Sequence, residues 1–135
     1  MRYFVVAVGK AREPYADDLG HYAKLLGRYA RVDVIEVADE AAIARRLPDR
    51  AYVCLLDRRG TSYTSEAFSV WLEERRQAGR DVCFVIGGAF GIELPDADHR
   101  LSFGPFTLPH LLARVVLLEQ LYRAHKILAG EPYHH

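Results

Sequence analysis

The sequence predicts an α/β domain, a mainly parallel sheet flanked by helices, and three observations predict it. Residues 3–8 (Tyr-Phe-Val-Val-Ala-Val) and Val82–Ile86 are continuously apolar instead of alternating, the pattern of strands covered on both faces. The stretches between strand-like runs carry apolar residues at helical spacing, so strands and helices alternate along the chain. No internal repeat or flexible linker interrupts the 135 residues. The whole span 1–135 therefore reads as one domain, long enough to bury a core.

Each element follows from its own residues. The first strand, residues 3–8, ends at Gly9-Lys10. From Glu13 onward, Tyr15, Leu19, Tyr22, Leu26 and Tyr29 recur at steps of four and three, which places them on one helical face as core residues. Arg31–Val37 comes close to alternating, so this second strand is expected near a sheet edge with one wet face. A short helix over 39–47 is closed by Pro48. The third strand is expected over 51–56, with Asp57-Arg58-Arg59-Gly60 as a polar turn at its carboxyl end. Thr64 is a candidate N-cap for a helix that puts Phe68, Trp71, Leu72 and Arg75 on one face and stops at Gly79. The fourth strand is Val82–Ile86; a short fifth one is expected around 101–103, after an irregular link or single turn over 94–98. The last helix, 109–129, is apolar almost all the way round and needs a second cover, for which another copy of the same helix in a two-fold dimer is the expectation, with Leu118 at the contact.

Composition narrows the function classes. Eighteen basic residues balance eighteen acidic ones, which excludes a protein that holds nucleic acid by bulk positive charge, although local patches are compatible with neutrality. Cys54 and Cys83 lie inside apolar strand runs and read as core cysteines of a reducing compartment. Only a short apolar run follows Met1-Arg2, and no stretch is long and charge-free enough to span a bilayer. A cytoplasmic protein without a membrane partner is expected.

The most constrained stretch is Ser102-Phe103-Gly104-Pro105-Phe106-Thr107-Leu108-Pro109-His110. Two prolines fix φ and push their preceding residues out of the helical region, so this is a stiff loop between a strand and a helix. Pro109 suits the first turn of the helix that follows. Upstream, Gly87-Gly88-Ala89-Phe90-Gly91 follows the fourth strand. Its spacing and position do not fit a dinucleotide fingerprint, and no P-loop is present. Such a bend is either structural or, paired with the next strand end, one wall of a crevice for a flat ligand. His110 at a helix start reads equally as a capping or a functional residue, whereas His21 and His99 read as surface. Glu119 and Arg123, four apart, read as a structural pair.

At these residues the chain resembles the ribosomal RNA large subunit methyltransferase H family of the SPOUT superfamily. The likeness lies in Val85-Ile86-Gly87-Gly88, Ser102 through His110, Arg114-Val115-Val116, Glu119 through Ala124 and Pro132-Tyr133-His134, with weaker agreement at Val6 through Lys10 and Tyr29 through Val37. It runs nearly end to end; the main shortening is near 39–50. The resemblance implies a C-terminal trefoil knot, an obligate homodimer, S-adenosylmethionine as cofactor and no metal. It implies methylation of N3 of a pseudouridine in the large-subunit rRNA of the assembled ribosome. Carried over residue by residue, cofactor contacts fall on Leu56, Gly88, Phe103, Gly104, Pro105, Phe106, Thr107 and Leu108. Tyr133 and His134 fall near the partner subunit's cofactor, as candidates for catalysis. A positively charged sulfonium without phosphate suits carbonyls and apolar walls more than a helix N-terminus.

Two departures bear on this reading. Relatives often carry a polar residue where Phe90 stands, and they usually end in a basic residue where this chain has His135. They keep open a noncatalytic ribosome-binding dimer of the same fold, with a different small-molecule α/β enzyme as a third reading.

Overall fold

A computed structural model describes residues 1–88 and 92–133. Five strands and four helices follow in the order β1 (Arg2–Val8), α1 (Ala16–Leu26), β2 (Arg31–Val37), a 3-10 turn (Glu40–Ala42) running into α2 (Ile43–Arg46), β3 (Tyr52–Ser62), α3 (Ser65–Ala78), β4 (Val82–Ile86), β5 (His99–Ser102) and α4 (His110–Leu128). The sheet has the order β2-β1-β4-β3-β5, and every pairing in it is parallel. The α/β class and its parallel sheet are as the two continuous apolar runs predict. All five residues of β4 are buried, and β2 stands at an edge with mixed exposure, as its alternation requires.

The sheet separates two apolar layers. On one face Tyr3, Val5, Ala7, Val82, Phe84 and Ile86 pack with Leu19 and Leu26 of α1, Phe68, Trp71 and Leu72 of α3, and Leu117, Leu118 and Leu121 of α4. On the other, Val6, Leu55, Cys83 and Val85 pack with Ile43 of α2, and Ile92, Leu94 and Ala97 lie against them. Tyr15, Tyr22 and Tyr29 are half-buried against the first layer, so the helical stripe read from the sequence is a core stripe. Caps set the limits of α3: Thr64 accepts from the Ala67 N–H at 3.0 Å, and Gly79 closes it at φ +77°, the left-handed conformation that glycine adopts without strain.

Three expectations are corrected. The stretch 57–60 is not a turn that ends the third strand. Leu56 and Thr61 both align with Leu101, so the four residues between them form an outward excursion inside β3. Its glycine serves close approach: a Cβ on Gly60 would stand 2.6 Å from the Arg100 carbonyl carbon. His99 is not a surface residue; it is half-buried, stacked on Trp71 at 5.2 Å between ring centroids, with Nε2 2.8 Å from the Tyr63 hydroxyl. Leu118 is only 2% exposed within one chain, so it belongs to the chain's own core. Of the apolar residues of α4 that belong to neither layer, Leu111 is buried, Leu112, Val116 and Ile127 are half-buried, and Leu128 is 39% exposed.

Candidate functional site

A parallel sheet leaves its crevice at the carboxyl ends of its strands, and here the ends of β3, β4 and β5 meet the start of α4. Between them lies a cavity of about 940 Å³. Leu56 and the excursion Asp57-Arg58-Arg59 line one side, Ile86, Gly87 and Gly88 the floor, and Phe103, Gly104, Phe106, Thr107, Leu108, Pro109 and His110 the other side. Of the eight residues expected at a cofactor, Leu56, Gly88, Phe103, Gly104, Phe106, Thr107 and Leu108 line this one cavity, and Pro105 does not.

The loop is held by one hydroxyl. Ser102 is buried; its Oγ accepts from the Gly104 N–H at 3.0 Å and donates to the Arg58 carbonyl at 2.9 Å. Gly104 has φ +108°, a conformation a side chain resists. The excursion is tied in turn by Asp57, whose carboxylate accepts from the Arg59 N–H at 2.9 Å and from Arg100 Nη1 at 3.1 Å. The Arg59 N–H holds the Asp57 carboxyl below its ordinary pKa; burial opposes this, and the Arg59 and Arg100 guanidiniums add to the lowering.

Behind His110, the core-facing side of α4 carries Arg114, only 2% exposed. Its Nη1 donates to Glu36 Oε2 at 2.7 Å and its Nη2 to the Gly9 carbonyl at 3.2 Å. The same Glu36 oxygen accepts from the Ala11 N–H at 2.7 Å. Burial alone would raise the Glu36 carboxyl, but the bonds from Arg114 and Ala11 outweigh it and keep it below its ordinary value. Arg114 thus clamps the ends of β1 and β2 to the helix that carries the cavity's far wall.

The tail lies elsewhere. The Tyr133 hydroxyl donates to Glu119 Oε2 at 2.9 Å, and its ring stands 4.1 Å from the Arg123 guanidinium carbon. Arg123 and Glu119 pair at 3.0 Å, as their spacing predicts. Burial first, then the Glu119 bond and charge, push the Tyr133 phenol up to about 12, so near neutrality it is a hydrogen-bond donor and not a base. Glu119 is nine residues beyond His110, roughly 13 Å along the helix at 1.5 Å per residue. Tyr133 does not line its own chain's cavity. His134, Phe90 and His135 lie outside the described residues.

Sequence reading missed Arg114, Glu36, Asp57 and the bridging role of Ser102. The available signal was a charged residue inside the longest apolar run, since an arginine is rarely buried without a partner. Among the described residues no three His, Cys, Asp or Glu side chains gather as a metal site, and no helix is long and apolar enough to cross a membrane.

Comparison with known proteins agrees with this geometry. A family model described as predicted SPOUT methyltransferase matches residues 1–134. Relatives named ribosomal RNA large subunit methyltransferase H include one from Anaeromyxobacter dehalogenans (strain 2CP-C), 43% identical over 152 residues. Others come from Clostridium botulinum (strain Kyoto / Type A2) and Carboxydothermus hydrogenoformans, each 39% identical over 158 residues. In all three the alignment covers 99% of both chains.

Proposed function

This chain belongs to the SPOUT methyltransferase family, and from that premise we propose that it methylates N3 of a pseudouridine in 23S rRNA of the assembled ribosome, using S-adenosylmethionine, as a cytoplasmic homodimer. The observation that carries the reading is the convergence of seven of the eight expected cofactor residues on one cavity at the strand ends.

The residues present suit that cofactor. Leu56, Ile86, Leu101, Phe103, Leu108 and Ala113 give apolar wall, and Gly87, Gly88 and Gly104 give backbone without side chains. S-adenosylmethionine supplies an electrophilic methyl group when bound. The chain's own part is to hold the adenosyl group against backbone, keep water from the apolar end, and align the target nitrogen. The N3 proton must leave as the nitrogen attacks, and His134 is the proposed acceptor, since a histidine's ordinary pKa of about 6.5 suits that transfer near neutrality. Tyr133, a donor at that pH, is proposed to orient the base. The half-buried apolar residues Leu112, Val116 and Ile127 on α4, and the separation of Tyr133 from its own cavity, support a dimer in which each tail serves the partner's site.

The test is methyl transfer to ribosomes from a strain lacking the gene, followed by mass mapping of the rRNA. Incorporation at a single pseudouridine, dependent on S-adenosylmethionine, is the expected result. Ribosome binding without incorporation would instead establish a noncatalytic dimer.

A further inference from the structure

Two groups lining the cavity, the Phe106 ring and the Arg58 guanidinium, have features that a cofactor contact through the loop backbone does not explain. Phe106 is 82% exposed, although it is a large apolar side chain on the wall of the cavity. Arg58 sits beside it: its Nη1 reaches Thr107 Oγ1 at 3.5 Å, one residue along the loop. Its neighbour Arg59 is paired with Asp57 and also feels Glu93, whereas among the described residues Arg58 has no carboxylate partner. Its backbone is fixed, because the buried Ser102 hydroxyl holds the Arg58 carbonyl to the same network as Gly104.

We propose that Phe106 and Arg58 form a clamp for a single-stranded RNA nucleotide at the cavity mouth, the ring stacking on a base and the guanidinium contacting an adjacent phosphate. The inference rests on the reading above, that the substrate is rRNA, and names how a net-neutral chain engages it. Every base has a π-face, so an exposed aromatic is a platform for an unstacked nucleotide. An arginine without a carboxylate partner leaves its guanidinium for a phosphate, in the fork geometry that suits it. The charge complementarity is local: Asp57 is already neutralised by Arg59 and Arg100, which leaves Arg58 as the excess cation of the excursion. The loop then has two faces, its backbone toward the cofactor and the Phe106 ring toward RNA.

The experiment measures binding of the full-length protein to ribosomes, without cofactor, over a series of salt concentrations, with calorimetry of S-adenosylmethionine run separately. Arg58→Gln should lower the slope of log affinity against log salt by about 0.7, the share of one phosphate contact on a single strand. Phe106→Leu should weaken ribosome binding roughly five- to hundredfold, the range for one stacked base, and Phe106→Trp should restore it. Arg31→Gln, an exposed arginine at the opposite end of the sheet, should change neither. Unchanged ribosome binding in both Arg58→Gln and Phe106→Leu overturns the clamp. So does Arg58→Gln weakening S-adenosylmethionine with no change in salt slope, which would assign the guanidinium to the cofactor. Dissociation of Phe106→Leu into monomers at unchanged RNA affinity would assign the ring to a subunit interface and overturn the clamp as well. A wild type that shows these dependences yet transfers no methyl group would remove the proposed function and leave the clamp standing. Normal methyl transfer by variants that bind as wild type does removes the clamp alone.

Discussion

The Arg114 guanidinium and the Glu36 carboxylate, 78 residues apart in sequence, meet at 2.7 Å beneath the cavity. Arg114 is almost fully buried, and Glu36 is partly open to solvent. Glu36→Gln removes the counter-charge of a buried guanidinium but keeps an acceptor, and with Glu36 itself a third exposed the expected cost is about 1.5–3 kcal/mol, the range of a charge-assisted hydrogen bond, below that of a fully buried pair. The expected outcome is a matching loss in denaturant midpoint at unchanged m-value, and a weaker cofactor site because the charged tie between the end of β2 and α4 is lost. Stability within 1 kcal/mol of wild type would show that the pair is dispensable.

Gly104 tests the loop. At φ +108° it adopts backbone that L side chains avoid, although a Cβ there would meet nothing within 4 Å. Strain, not collision, is therefore the cost, and Gly104→Val should disturb the loop while leaving the core intact. S-adenosylmethionine affinity is expected to fall at least tenfold in a protein of normal circular dichroism. Unchanged affinity would remove the loop from the cofactor site.

Two half-buried imidazoles, His99 and His125, give the acid limb of stability a sign. Burial lowers His125, and the Met1 amino group adds to this while Glu73 opposes it; burial and then Arg75 lower His99. Unfolded, both return toward about 6.5, so over the interval between folded and unfolded values the unfolded chain binds more protons. Stability is complete above about pH 6.5 and declines as pH falls through that interval. Melting temperature should drop between pH 7 and 5, with a smaller drop in His125→Gln, whose side chain still reaches toward the Tyr3 hydroxyl but does not titrate. A variant with the full wild-type slope would remove His125 from this effect.

How much of this was legible follows from the range of each interaction. β1, β4 and α3 were readable because their causes are local: continuous apolar runs, a Thr64 cap, a Gly79 stop. The loop at 103–108 was readable because two prolines constrain it from within. Asp57 through Gly60 were misread because polar residues before a glycine look like a turn, and only the Arg100 backbone across the strand shows that the glycine serves contact. Arg114 looked like one of several charges on an apolar helix; its partners are Glu36 and Gly9, and no local pattern records a pairing over that distance. Leu118 was assigned to a second copy of the helix because apolar residues all round α4 could not be apportioned until the positions of α1 and α3 were known.

The surface left over on α4 makes a specific dimer test possible. Val116 is half-buried and lies in neither core layer, so Val116→Glu places a charge on the proposed interface without opening the core. Sedimentation should show a dimer for wild type at micromolar concentration and a monomer for the variant, since an unpaired charge in an apolar contact costs several kcal/mol. Dimers of unchanged stability would move the interface to another face.

The tail gives the sharpest test of a shared site. Tyr133 is anchored to Glu119 and Arg123 of its own helix, away from its own cavity, so a contribution to catalysis requires a second chain. Deleting residues 132–135 should leave S-adenosylmethionine affinity within a few-fold and cut methyl transfer to ribosomes at least about a hundredfold, the usual weight of acid–base catalysis. The deletion removes Tyr133 and His134 together; Tyr133→Phe, which loses the hydroxyl and its bond to Glu119 but keeps the ring, should cost less. Mixing the deleted chain with a Gly104→Val chain then decides where the tail acts. If loop and tail of one site come from different chains, a mixed dimer holds one intact site and one site lacking both elements, and it regains activity that neither parent shows. If both come from one chain, every site in the mixed dimer has a single defect, and activity stays at the level of the parents. Recovery to about half of the wild-type rate per dimer is the expected outcome. Its absence, in preparations where mixed dimers are confirmed by mass, would assign the tail to its own subunit or to no site at all.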